Sequence, residues 1–272
     1  FFNNLRGLNL LNYLLKKKIN VKFIFLSKKN LNKEICKKIS KFKISYEIVT
    51  NINSIKVQKI IDKIKPELNI VAGFPYFLEK KIYEKPKFGT INLHAGKLPK
   101  YRGGSPLNWQ IINGEKSIGI SIIQLINKLD AGKIIVEKEF NLKKNYDIKK
   151  VHKIANRYFQ TMTLKAINKI SKNKIFIKQD PKKAHYWRQR KESDGFLDFE
   201  KMNDLQVYNF VRALTEPYPC AFIDFNGRKL RIIKCNIYNK KLNLKPGEIY
   251  FKEKKIFLAC KKGFIRVEKY RV

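Results

Sequence analysis

The sequence is poor in the residues that usually announce a metal, a membrane or an oxidising compartment. Its four cysteines, Cys36, Cys220, Cys235 and Cys260, show no Cys-x-x-Cys spacing, and its three histidines stand apart. Such scatter offers a zinc ion no ligand set, so no metal is expected, and the cytoplasm is the expected compartment. No apolar run approaches the length of a membrane span, so no membrane partner is expected either. The opening residues lack the basic start, long apolar middle and small cleavage site of a secretory signal. Phe1-Phe2-Asn3-Asn4 reads instead as the end of a first strand whose opening residues lie upstream. Acidic residues are scarce, 22 against 60 basic ones, for a net charge of +38. A basic excess suggests phosphate binding, and with it nucleic acid. Here the lysines are spread over nearly every segment, among abundant Asn, Ile, Phe and Tyr, as an AT-rich genome would encode. Solvated lysine faces are therefore the first reading and a tRNA-binding face the second.

What is present suffices for two hydrophobic cores: 272 residues, 44% of them apolar. Gly7 to Lys18 has a helical stripe of Leu8, Leu11 and Leu15, followed by an apolar strand over Val21 to Leu26. Val57, Ile60, Ile61 and Ile64 keep helical spacing and lead through Pro66 into a strand over Leu68 to Ala72. This alternation predicts an α/β fold, a Rossmann-like domain with a mainly parallel sheet, whose ligands bind at the carboxyl ends of strands. Strands are also expected over Ile118 to Leu125 and Ile134 to Phe140, then a long helix from Asp147 to Lys172. The lysine-rich stretch Ser171 to Pro181 marks the boundary, giving domains 1–180 and 181–272. In the second, a helix over Asp204 to Leu214 precedes short strands over Ala221 to Phe225, Leu230 to Cys235, Gly247 to Phe251, Ile256 to Cys260 and Phe264 to Val267. That pattern fits a small β-barrel.

The chemistry concentrates in Thr90-Ile91-Asn92-Leu93-His94 and Leu129-Asp130-Ala131-Gly132. An amide can donate to an oxyanion, an imidazole can exchange a proton near neutral pH, and a carboxylate can hold the imidazole in one tautomer. No Ser or Cys nucleophile stands beside them, which favours direct attack by a substrate amine or water. Each residue also has a plain alternative: Asn92 as a strand-end residue bonding a loop, His94 as an ordinary histidine, Asp130 as a turn former. Between the two segments runs Ala95-Gly96-Lys97-Leu98-Pro99-Lys100-Tyr101-Arg102-Gly103-Gly104-Ser105-Pro106-Leu107-Asn108-Trp109, a loop that opens a helix.

On Asn92, His94, Leu98-Pro99, Arg102-Gly103 and Asp130-Ala131-Gly132, in that order, the chain resembles the 10-formyltetrahydrofolate-dependent formyltransferases. Asp194-Gly195, Asp198-Phe199 and the run Val211 to Pro219 extend the resemblance over nearly the whole chain. It implies a formyltransferase domain followed by an OB-like C-terminal barrel, with 10-formyltetrahydrofolate as co-substrate. Asn92, His94 and Asp130 would be the catalytic residues for transfer of the formyl group to a primary amine. Phe74-Pro75-Tyr76-Phe77 falls where such enzymes contact the pterin ring, or else it fills a gap between strand and helix. Lys97 and Arg102 would hold a phosphate or the folate's glutamate tail, unless they are solvated loop charges. Tyr218 and Trp187 could stack on a base or pack in a core, and Cys220 stands where the family more often has glycine.

The resemblance leaves the acceptor open. Methionyl-tRNA formyltransferases carry a basic insertion after the strand matching Val21 to Leu26. Here Ser27-Lys28-Lys29-Asn30-Leu31-Asn32 leads directly to a helix. The preferred acceptor is therefore a nucleotide-linked amino sugar, with initiator methionyl-tRNA as the alternative. A non-catalytic RNA-binding relative and hydrolysis of the formyl donor are the remaining readings. A homodimer is compatible with all of them.

Overall fold

The computed structural model describes residues 1–29, 31, 33–252 and 255–272. In chain order the first elements are α1 (Leu5–Lys16), β1 (Ile24–Ser27), α2 (Lys33–Ile39), β2 (Tyr46–Val49), α3 (Ile55–Ile64), β3 (Asn69–Val71), α4 (Lys80–Tyr83) and β4 (Thr90–His94). Then come β5 (Arg102–Gly103), α5 (Pro106–Ile112), β6 (Ser117–Gln124), β7 (Ile134–Asn141) and α6 (Ile148–Ser171). The last are β8 (Tyr186–Trp187), α7 (Asp204–Leu214), β9 (Ala221–Phe225), β10 (Arg228–Tyr238), β11 (Ile249–Lys252), β12 (Lys255–Ala259) and β13 (Phe264–Arg271). Between β1 and α2, Asn30 and Asn32 of the predicted direct connection lie outside the described residues. Contacts group the chain into two compact units. One comprises Phe1–Arg102, Gly119–Glu139 and Ile154–His185, and the other Gly103–Ile118, Phe140–Lys153 and Tyr186–Val272.

The first unit is built on the predicted parallel sheet. β1 pairs with β2 and β3 with β4, both in parallel, and Phe2 bridges in parallel to Leu26 and to Ala72, joining the pairs. β6 then runs antiparallel to β4, setting His94 opposite Ser121 and Asn92 opposite Ile123, and β7 follows as the next strand. The Asn4 side chain accepts from the backbone N–H groups of Arg6 and Gly7 and so starts α1 two residues before the predicted helix. Its buried stripe is Leu8, Leu10, Leu11 and Leu14, with Leu15 only half-buried. α3 begins at the Ser54 cap and buries Val57 and Ile61 under a cluster with Phe25, Val71 and Leu78. Along α6 in this unit Ala155, Phe159, Met162, Ala166 and Ile170 are buried at helical spacing. A cavity of about 290 Å³, lined among others by Leu10, Phe25, Ile61, Leu68 and Ile70, lies on this unit and touches none of Asn92, His94 and Asp130.

The second unit contains a five-stranded antiparallel sheet in the order β11-β12-β13-β10-β9. It is a curled half-barrel: the edge strands β9 and β11 bring Phe225 and Phe251 to a ring separation of 5.3 Å. Asn226 and Gly227, both with positive φ, make the tight turn between β9 and β10. α7 carries a capping box between Asn203 and Gln206 and packs on β9, β10 and β13. α5 packs on α7, where the Asn108 amide donates to the Ala213 carbonyl at 2.8 Å. Cys220 holds φ at +71°, so the turn after the second proline does require left-handed backbone, and a cysteine adopts it. Among the described residues no helix is long and apolar enough to cross a membrane.

Asp194 organises the link into this unit's first turns. Its Oδ2 accepts from Arg188 Nη1 at 2.5 Å and from the Lys191 backbone N–H at 2.7 Å. The Arg188 hydrogen bond first, and the Lys191 backbone second, hold the carboxyl at about 2, below its ordinary 3.8. A carboxylate depressed on folding contributes stability that is present above its unfolded pKa and lost as pH falls through the folded one. Thermal melts between about pH 5 and pH 2 should therefore show wild type losing its advantage over Asp194→Asn as acid is added. A constant difference over that window would remove Asp194 from the account.

Candidate active site

β4 ends at His94, and its pairing with β3 and β6 fixes where its side chains project. Asn92 and His94 lie two apart on one strand and so face the same side of the sheet. The segment after β6 begins opposite β4, with the Leu125 N–H donating to the Thr90 carbonyl at 2.8 Å, and carries Asp130 over that face. Asp130 Oδ1 lies 3.4 Å from His94 Nδ1 and accepts from Asn92 Nδ2 at 3.4 Å. The imidazole is 5% and the carboxylate 8% exposed, so water screens neither group strongly. The three residues read from the sequence thus meet at one place.

The other imidazole nitrogen is committed. Nε2 sits 2.6 Å from the backbone carbonyl of Tyr101. A carbonyl only accepts, so Nε2 carries a proton, and Nδ1 is the nitrogen left to gain or lose one. Sequence reasoning gave tautomer control to Asp130, but the backbone of Tyr101 exerts it. The loop is shaped around that contact. A methyl group on Gly96 would overlap both the Tyr101 carbonyl and His94 Nε2. The Ser121 hydroxyl donates to the Gly96 carbonyl at 3.0 Å, and the Tyr101 side chain is fully buried.

Arg102 was read as a substrate-binding cation or a solvated loop charge, and its burial rules out the second. Its side chain is 3% exposed, and Nε and Nη2 donate to Gln179 Oε1 at 3.0 and 2.8 Å. The same Gln179 donates from Nε2 to the carbonyls of Asp130, at 2.8 Å, and Gly132, at 2.7 Å. Sequence analysis missed Gln179 because a lone glutamine in a lysine-rich stretch carries no motif. Its one signal was position, two residues after Ile177, which bridges to Ile134 on β7. Lys97 is half-exposed and pairs with Glu139 at 2.9 Å.

Phe74 and Tyr76 are half-buried against the Phe25–Val71 cluster, their rings 5.5 Å apart. Pro75 and Phe77 are exposed. Leu125 packs on the same cluster, so the segments after β3 and after β6 share a base. Both carry exposed apolar side chains, Phe77 on one and Ile126 and Leu129 on the other, at 54%, 40% and 52% exposure. Such side chains fit an aromatic, partly apolar ligand. In the second unit Trp187 packs on Trp109 at 4.8 Å, and the Tyr218 hydroxyl meets His152 Nε2 at 2.9 Å. Among the described residues no cluster of side chains could hold a metal ion.

A model of the formyl transferase family matches residues 9–167, and one described as formyl transferase, C-terminal domain, matches residues 190–272. The chain belongs to the formyl transferase family. This formyl transferase is 31% identical over 210 residues to the methionyl-tRNA formyltransferase of Clostridium beijerinckii, covering 77% of this chain and 68% of that protein. It is 32% identical over 244 residues to the bifunctional polymyxin resistance protein ArnA of Wigglesworthia glossinidia brevipalpis, covering 89% of this chain and 36% of that protein. It shares its fold with the N-formyltransferase of Helicobacter canadensis, solved with folinic acid and dTDP-3-aminofucose. That superposition has a TM-score of 0.72 at 18% identity, over 99% of this chain and 97% of that one. The chain spans between 36% and 70% of the length of the curated relatives it matches.

The Tyr101 contact of this formyl transferase is open to a direct check. Imidazole ¹⁵N spectra should show neutral His94 with its proton on Nε2. Gly96→Ala should shift those resonances, because the added methyl displaces the ring or the carbonyl. A neutral ring protonated on Nδ1, or spectra unchanged by the substitution, would contradict the geometry.

Proposed function

We propose that this formyl transferase moves the formyl group of 10-formyltetrahydrofolate to a primary amine, and that the amine belongs to a nucleotide-linked amino sugar. The observation that carries the reaction is the convergence of Asn92, His94 and Asp130 on one face of the sheet, with the imidazole and the carboxylate side chains largely shielded from water. The donor brings an activated formyl carbonyl. One Asn92 N–H points at Asp130, and its second N–H is the donor for the carbonyl oxygen as negative charge builds there. His94, with Nε2 fixed by Tyr101, contributes a positive charge when Nδ1 is also protonated, and Asp130 beside it balances that charge. Asp130 is the base for the attacking amine, directly or through one water. The proton it takes ends on the folate nitrogen that leaves, so acid and base are restored at the end of each turnover. The exposed apolar side chains Phe77, Ile126 and Leu129, with Pro75, are the candidates to meet the pterin.

Support for a sugar acceptor comes from the sequence between β1 and α2, residues 28–32, which lacks the basic insertion that the resemblance assigns to methionyl-tRNA formyltransferases. The N-formyltransferase of Helicobacter canadensis, whose fold covers 99% of this chain, was solved with an amino-sugar nucleotide, dTDP-3-aminofucose. Methionyl-tRNA is the second reading, favoured by the names of most of the matched relatives and by the +38 charge. The same proposal divides the chain into a catalytic domain, 1–180, and a C-terminal domain, 181–272. It also places the protein in the cytoplasm, in keeping with four free cysteines.

Asn92→Ala, His94→Ala and Asp130→Ala, each folded, should lose formyl transfer by on the order of 10²-fold or more. Near wild-type turnover in all three would end the assignment. For the acceptor, UDP-, dTDP- and GDP-linked amino sugars and initiator methionyl-tRNA should be offered with 10-formyltetrahydrofolate. Turnover of a sugar nucleotide is expected. Formylation of tRNA alone, with steeply salt-dependent binding, would transfer the conclusion to the second reading.

A further inference from the structure

The contacts among the atoms proposed to react are long: Asp130 Oδ1 lies 3.4 Å from both His94 Nδ1 and Asn92 Nδ2. At that length neither fixes a carboxylate well. Asp130 also has φ at +47°, the left-handed region, which a short polar side chain such as Asp tolerates. The short contacts lie on the backbone. Gln179 Nε2 spans the Asp130 and Gly132 carbonyls at 2.8 and 2.7 Å, and Gly132 packs so tightly on the Gln124 backbone that no side chain would fit. The amide cannot turn over, because Oε1 is claimed by two Arg102 donors, and a rotated NH₂ would face a guanidinium. Arg102 follows Tyr101, whose carbonyl fixes His94. One buried glutamine therefore ties the segment that sets the imidazole to the turn that sets the carboxylate.

We infer that Gln179, oriented by Arg102, is a positioning residue that places the Asp130 carboxylate against His94 for formyl transfer. The inference rests on the proposed roles of Asp130 and His94. Gln179→Glu is nearly isosteric and keeps acceptors for Arg102, but it loses the N–H donors to both carbonyls. Gln179→Asn keeps the amide and shortens its reach. Each is assayed with 10-formyltetrahydrofolate and a dTDP-linked amino sugar, or with initiator methionyl-tRNA if that is the acceptor turned over. Folding is followed by thermal melts, and Asp130→Asn runs alongside.

The expected result for folded variants is kcat lower by about 10- to 100-fold with the KM of donor and acceptor within about threefold, and altered His94 ¹⁵N resonances. Turnover within twofold of wild type, or a raised KM at unchanged kcat, overturns the positioning role. If Asp130→Asn loses turnover while the Gln179 variants do not, only this inference fails. If Asp130→Asn also turns over normally, the reading of the site fails with it. Should both Gln179 variants unfold, hydrogen exchange in the wild-type protein decides: slow exchange of the Gln179 side-chain amide supports the clamp, and rapid exchange refutes it.

Discussion

A histidine ring has two nitrogens, and in this chain a backbone carbonyl owns one of them. Because the Tyr101 carbonyl can only accept, the proton on Nε2 stays through every protonation state of the ring. All proton traffic is then confined to Nδ1, the side that faces Asp130. The surrounding loop follows from this single contact. Gly96 has no side chain because the ring and the carbonyl fill that space, and Tyr101 is anchored by a fully buried side chain of its own. A surface loop could not keep a carbonyl within 2.6 Å of an imidazole without such anchoring.

How much of this was legible in the sequence depended on how local the signal was. The parallel sheet was legible because strand and helix periodicities alternate, and α7 and β9 begin and end where pattern and turn residues put them. Helix starts were less so. α1 begins two residues early because the Asn4 side chain, not the apolar stripe, decides where the helix nucleates. β2 escaped notice because it is an edge strand with mostly exposed or half-buried residues, and so lacks an apolar run. The convergence of Asn92, His94 and Asp130 was readable from order and type, but their support was not. Arg102 read as a substrate cation because a charge in a glycine-rich loop is usually solvated. Only the fold brings it to Gln179, 77 residues away.

The excess of positive charge bears on function less than its size suggests. Exposed Lys and Arg outnumber the acidic residues that could pair with them, and ion pairs such as Lys97 with Glu139 or Lys201 with Asp198 lie at the surface. Such pairs add little to stability. The net field draws in any phosphate-bearing acceptor, a nucleotide sugar as much as a tRNA, so charge alone does not choose between them.

The division between short and long contacts fits what proton transfer requires. Hydrogen bonds of 2.6 to 2.8 Å tie down the Tyr101, Asp130 and Gly132 carbonyls and the Arg102 guanidinium, and the one that reaches His94 does so through Nε2 rather than Nδ1. Separations of 3.4 Å fall between Asn92, His94 and Asp130. Were those three locked together by short bonds, an arriving amine or carbonyl would have to break a buried charge-assisted bond before using either partner, at a cost of a few kcal/mol. In the proposed reaction the amide, imidazole and carboxylate, held from behind by the backbone and facing one another at 3.4 Å, would exchange these long contacts for bonds to the substrate. Rigidity in the supporting shell and long contacts among the groups proposed to react are complementary: the first fixes position, and the second are the contacts a transition state would replace.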